Sequence, residues 1–175
     1  MNILRLFKMF VFGATGLFIV ITLFSLLIPS RVRVSRITVI NDVTPGRVYN
    51  EVSNFGRWKN WHPVFKSDST TIAFTDSSKR SCDVSYNNSV AHLSITFLEA
   101  TSIKFDLFSN SQNDIHNEIT LTNLTGSHSV QVEWLASIKL RWYPWEKFYG
   151  IFIDKLSGPG YEAALNGLKS FLEKK

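Results

Sequence analysis

The pattern of apolar and polar positions divides this chain into stretches with different periods. From Met9 to Ile28 the sequence MFVFGATGLFIVITLFSLLI carries no charge, and about 20 apolar residues is the length a helix needs to cross a bilayer core. The segment is apolar all round, whereas a core helix of a globular domain shows one polar face. A cleaved signal peptide would have a shorter apolar core and a small-x-small site, and Leu26-Leu27-Ile28-Pro29-Ser30 lacks that pattern. The reading is an N-terminal transmembrane anchor over residues 1–30 and one soluble domain over residues 31–175. Arg5 and Lys8 flank the segment on one side and Arg31, Arg33 and Arg36 on the other. Counting charges therefore leaves open which side of the membrane the domain faces.

After the anchor the period falls to two. Arg33 to Asn41 alternates and is rich in β-branched residues, which predicts a strand. Thr44-Pro45 reads as a helix start, with Val48, Val52 and Phe55 at helical spacing and Gly56 ending the helix. A short helical turn then carries Trp58 and Trp61, and Pro63 closes it. Strands are predicted over Thr71 to Thr75, Arg80 to Tyr86, Ala91 to Leu98, Ser102 to Phe108, Ile115 to Leu121 and Val130 to Leu140. Asn87-Asn88 and Asn123 to Gly126 supply turns between them. The inward phase takes Cys82, Val84 and Tyr86; Leu93, Ile95 and Phe97; Ile103, Phe105 and Leu107; then Ile115, Ile119, Leu121 and Trp134.

At Pro144 the period becomes helical again. Phe148, Phe152 and Leu156 lie four apart, with Ile151 beside them, and are expected to face the sheet. Gly158-Pro159-Gly160 predicts a kink or a break, after which Tyr161, Leu165, Leu168 and Leu172 resume the stripe. The fold class is α+β: a curved antiparallel sheet of about six or seven strands whose apolar concave face is covered by a long C-terminal helix.

Several of these segments resemble the SRPBCC superfamily of START-like, polyketide cyclase/dehydrase-like helix-grip proteins. The resemblance runs from Val34 to Glu173. Ser35-Arg36-Ile37-Thr38-Val39-Ile40-Asn41 followed by Pro45, Val48 and Val52 is similar to the family's opening strand and helix. Trp58-Lys59-Asn60-Trp61-His62-Pro63 resembles its W-x-x-W-x-P turn, and Val130-x-Val132-x-Trp134 its penultimate strand. Tyr161-Glu162 with Gly167-Leu168-Lys169 resembles the closing helix, although Ala163-Ala164-Leu165-Asn166 departs from the usual spacing. An anchor ahead of the domain resembles a bacterial subgroup. The resemblance implies a cavity between sheet and helix that commonly holds an apolar ligand. It implies no single activity, because function lives in the site.

Composition narrows the picture further. The net charge of +5 is spread along the chain and no run of five basic residues occurs, which argues against nucleic acid as a partner. The single cysteine, Cys82, sits on an inward phase and reads as a buried, inert thiol. Sequons occur at Asn87-Asn88-Ser89 and Asn123-Leu124-Thr125. The four histidines, His62, His92, His116 and His128, share no metal-ligand spacing, so no metal or other cofactor is expected. His92, His116, Glu118 and Glu133 fall on outward phases. No phosphate-binding glycine loop or nucleophile elbow is present.

The aromatics stand out: 14 Phe, five Trp and five Tyr. Inward aromatics form either a packed core or the wall of an apolar pocket. The candidates for a cavity wall are Tyr86, Ile95, Phe97, Phe105, Leu107, Ile119, Trp134, Phe148, Phe152 and Leu156. Trp58 and Trp61 read as wedges that fix their turn. Trp142, Tyr143 and Trp145 form either an interfacial aromatic patch or a stop that seats the last helix. The expected function is membrane-anchored binding of a small hydrophobic or amphipathic, lipid-like ligand, with the bilayer as partner. A cyclase-like or hydrolase-like enzyme and an interaction module with a filled core are the alternatives. The absence of an acid–base or nucleophile constellation favours binding or interaction over catalysis.

Overall fold

The computed structural model of the chain describes residues 3–86, 89–110, 113–124 and 126–174. The turn and sequon at Asn87-Asn88, and Thr125 of the second sequon, lie outside the described residues. Helix α1 (Ile3–Leu26) leads into β1 (Arg31–Asn41), followed by three short helices, α2 (Pro45–Val52), α3 (Phe55–Trp58) and α4 (Pro63–Lys66). Strands β2 (Thr71–Phe74), β3 (Ser81–Tyr86), β4 (Ser89–Glu99), β5 (Ser102–Ser109), β6 (Ile115–Leu124) and β7 (Ser129–Lys139) then precede α5 (Pro144–Leu172). The strands form one seven-stranded, curved antiparallel sheet in the order β1-β7-β6-β5-β4-β3-β2. Consecutive strands pair as hairpins, and only β1 pairs out of sequence, with β7.

The concave face holds the core. Ile40, Cys82, Leu93, Ile103, Phe105, Ile119, Val132 and Trp134 from the sheet meet Val48, Val52, Phe55, Trp58 and Trp61 from the short helices. Leu165, Leu168 and Leu172 close the layer from the second half of α5. A smaller cluster, Val34, Ala136, Ile138, Leu140 and Ile153, lies under the first half. Burial pushes the Cys82 thiol up to about 12, with Asp83 and Asp76 adding to the effect, so it stays protonated and unreactive.

Four sequence expectations need correction. The first concerns α2, which ends at Val52 with Ser53 as its C-cap rather than running to Gly56. Asn54 then starts a new turn, its Oδ1 accepting from the Gly56 N–H at 2.7 Å. Second, Pro63 opens α4 at its first helical position instead of closing the preceding turn. Third, β4 carries a bulge between Ile95 and Phe97, where Thr96 is the extra residue. The extra residue reverses the alternation. Phe97 therefore points outward, 46% exposed beneath the Lys104 ammonium, and Leu98 takes its place against the core.

The fourth correction concerns α5, which is continuous through Pro159, without a break. Its sheet-facing side is formed by Lys147, Gly150, Ile153, Gly158, Ala164, Leu165, Leu168 and Leu172. Phe148, Phe152 and Leu156 occupy the opposite, exposed side. Small residues let the helix approach the sheet more closely than the aromatic row could. A Cβ on Gly158 would collide with the Arg36 guanidinium, which bridges to Asp154 at 2.9 Å. A Cβ on Gly167 would collide with the main-chain oxygen of Trp61.

Helix α1 is long and apolar enough to span a membrane, and nearly all its side chains are exposed. Its end is nonetheless tied to the domain. The Ser30 carbonyl accepts from the Leu140 N–H at 2.8 Å. The buried Lys147 ammonium donates to the Ile28 carbonyl at 3.1 Å and to the Ser30 hydroxyl at 2.6 Å.

Candidate functional site

The core does not fill the concave face. Between β3–β7, the α3–α4 region and the middle of α5 lies a cavity of about 870 Å³. Its apolar wall comes from the inward phases of the strands: Val84, Ala91, Leu93, Phe105, Leu107, Ile115 and Trp134. Trp58, Phe65 and Tyr161 close it from the helical side. Ala91, Ser157 and Gly160 are small residues on that wall, and their short side chains leave the volume open. Val64, Ser69, Tyr86, Ser89 and Gly160 are both exposed and on the wall, so the cavity opens to solvent there.

Its inner end is an aromatic cluster. Trp58 packs edge-on against Phe105 and Trp134 at 5.3 and 5.6 Å between ring centroids, and Trp134 packs edge-on against Tyr161 at 5.2 Å. Hydrogen bonds fix this geometry. The Trp58 indole donates to the Val52 carbonyl at 3.1 Å and the Trp61 indole to the Glu51 carbonyl at 3.4 Å, satisfying free carbonyls at the end of α2. Both tryptophans thus wedge the turn in place, and Trp58 also faces the cavity. The Trp134 indole donates to Asn117 Oδ1 at 3.0 Å, and the Asn117 amide donates to the Ile115 carbonyl at 3.2 Å.

The His62 and Thr70 side chains, from residues that also line the cavity, lack such bonds. His62 lies nearly parallel to Trp58, with centroids 5.1 Å apart and planes 16° from parallel. Among the described residues, its Nδ1 and the Thr70 Oγ1 are buried without a hydrogen-bond partner. Burial lowers the His62 pKa to about 4, so the imidazole is neutral at pH 7. Burial also raises the Tyr161 phenol to about 12. Among the described residues, the wall contains no carboxylate, lysine, arginine or cysteine.

Of the candidates taken from the sequence, Tyr86, Phe105, Leu107 and Trp134 lie on this wall. Ile95 and Ile119 are packed into the core away from it. Phe97, Phe148, Phe152 and Leu156 lie on the outer surface, for the reasons given above. His62, Thr70 and Asn117 were not singled out. Asn117 was visible as a polar residue on an inward phase, between Ile115 and Ile119. His62 was visible as the polar residue between Trp61 and Pro63. His92 and His116 pair on the outer face with Asp83 and Asp106, each at 2.7 Å. Among the described residues, no group of three potential metal ligands is assembled.

The arrangement of curved sheet and long C-terminal helix recurs among solved structures. A START superfamily protein from Mycobacterium smegmatis superposes with a TM-score of 0.63 at 14% identity, over 81% of this chain and 97% of that one. The chain has the START-like helix-grip fold. CalU16 from Micromonospora echinospora shares it at 12% identity and a TM-score of 0.52, over 82% of this chain and 76% of that one. DynU16, from the dynemicin biosynthetic locus, shares it at 14% identity and a TM-score of 0.58, over 81% of this chain and 47% of that one. No protein-family model and no curated protein matches the sequence. At such low identity, the likeness of this helix-grip domain to its neighbours is one of fold.

Proposed function

We propose that residues 1–30 anchor the protein in a membrane and that the helix-grip domain, residues 31–175, binds one small amphipathic molecule in its cavity. The observation that carries the proposal is the cavity itself, lined mostly by apolar and aromatic side chains between the sheet and α5. The cavity volume of about 870 Å³ falls within the usual range for small-molecule sites. The uncharged wall selects against a carboxylate or ammonium head, since a buried charge needs a partner. The ligand is therefore a lipid-like molecule whose head is a neutral hydroxyl, carbonyl or amide.

Retention of the anchor is supported by Lys147. Cleavage near Ser30 would remove the Ile28 carbonyl and leave a buried ammonium short of a partner.

Binding of fluorescent acyl probes of one chain length, one ending in an alcohol and one in a carboxylate, tests the reading on the full chain in detergent. The alcohol should bind more tightly. Leu107→Trp and Ala91→Phe, which fill the cavity, should weaken it at least about tenfold, or ~1.4 kcal/mol. Phe97→Trp, on the outer face, should leave it unchanged. If the folded wild-type chain takes up neither probe, the cavity is not a binding site.

A further inference from the structure

The outer face of α5 changes character halfway along. In its first half that face carries Trp145, Phe148, Tyr149, Phe152 and Leu156, all exposed, with Ile151 beside them. Beyond Leu156 the same face carries Pro159, Ala163, Asn166 and Ser170. The aromatic row makes no contribution to the sheet contact, which belongs to the opposite side of the helix. Contiguous exposed apolar surface of this kind marks a contact with another phase or molecule.

The position of the row identifies what it meets. Helix α5 runs alongside β1 in the same direction: Gly150 lies against Val32, Asp154 bonds Arg36, and Glu173 accepts from the Asn41 N–H at 2.8 Å. β1 follows directly from α1, and the start of α5 is bonded to the α1 exit through Lys147. The apolar half of α5 is therefore the half beside the end of α1, and the polar half is the far one. Arg31, Arg33, Lys139 and Lys155 are exposed around the apolar half. Of the acids nearby, Asp154 pairs with Arg36 and Glu146 with Arg141, while Asp114 lies beside Lys139 and Arg141. Aromatic and aliphatic side chains bordered by cations are the composition of a helix lying at a lipid headgroup boundary.

We infer that the outer face of α5 from Trp145 to Leu156 is seated in the interface of the bilayer that α1 crosses. The inference rests on the anchor reading above. Leu156 adjoins Ser157 and precedes Gly160 by one helical turn, and both of those residues lie on the cavity wall. Seating this face on lipid brings the cavity mouth to the membrane surface, so an amphipathic ligand can enter without crossing bulk water.

The test uses the full chain in vesicles of phosphatidylcholine and phosphatidylglycerol. Single labelling sites are placed by Phe152→Cys, by Asn166→Cys on the same face further along, and by Val20→Cys in α1. The unmodified chain serves as the blank, because Cys82 is buried and unreactive. Each label is quenched either by nitroxide-bearing lipid or by aqueous iodide. The Phe152 label should be quenched several-fold more by lipid than the Asn166 label, with iodide showing the reverse order. If the Phe152 label behaves like Asn166 while Val20 is lipid-quenched, the seating is wrong and the anchor stands. If the Phe152 label is shielded from both quenchers and self-quenches as protein density rises, a second copy covers the face and the inference is overturned. If Val20 is not lipid-quenched, the anchor reading fails and the seating fails with it.

Discussion

Trp134 on β7 donates its indole N–H to the Oδ1 of Asn117 on β6 across 3.0 Å, with both residues buried. The pair joins neighbouring strands through their side chains at the point where the cavity meets the core. Trp134→Ala should destabilise the domain by about 3–5 kcal/mol. Asn117→Leu should cost about 1–3 kcal/mol, by leaving the indole N–H unpaired. Urea denaturation followed by near-ultraviolet circular dichroism measures both, and a near-neutral Trp134→Ala would contradict the pairing.

The bulge in β4 makes a contrast between phenylalanines on adjacent strands. Phe105→Ala removes a side chain 1% exposed, and should cost about 3–5 kcal/mol. Phe97→Ala removes one on the outer face, and should stay within about 0.5 kcal/mol. Equal losses would mean that the alternation of β4 is unbroken.

The glycines of α5 should respond in opposite directions. Gly167→Ala drives a methyl group into the Trp61 carbonyl, and about 1–3 kcal/mol of destabilisation is expected. Gly160 has nothing within 4 Å of an added Cβ, so Gly160→Ala should stabilise the helix by about 0.5–1 kcal/mol. Thermal unfolding of the two variants reads the difference directly.

His62 gives the domain a defined acid sensitivity. Its folded-state pKa of about 4 lies below the ordinary 6.5, so the unfolded chain binds the proton more readily. The stabilisation is complete above pH 6.5 and is lost as pH falls toward 4. The slope approaches about 1.4 kcal/mol per pH unit, and the total is on the order of 3 kcal/mol. His62→Gln should flatten the pH dependence in that window. An unchanged slope would place the imidazole in solvent.

Most of the sheet was legible in the sequence, because alternation with one apolar face leaves few choices of register. β7 is the clearest case: Val130, Val132, Trp134, Ala136 and Ile138 are all buried. The bulge at Thr96 was not legible, since an inserted residue shifts the phase without leaving a compositional mark. The orientation of α5 was misread for a physical reason. Its largest apolar side chains formed the obvious stripe, yet close approach to the sheet favours Gly150 and Gly158 over Phe148 and Phe152. A row of large apolar residues identifies a face that avoids water, and either a core or a membrane can satisfy it. The polar part of the site was hidden for the opposite reason. His62 and Asn117 interrupt apolar patterns singly, and only the three-dimensional placement shows that Asn117 is satisfied by Trp134 and Ile115 while His62 Nδ1 has no partner among the described residues.

Native mass spectrometry of the full chain, released from mild detergent, tests ligand binding most directly. The wild-type protein is expected to carry one amphipathic molecule with a neutral head, and Leu107→Trp is expected to appear at the mass of the bare chain. A folded wild-type protein observed only at its bare mass, with nothing recovered on denaturing extraction, would contradict the account.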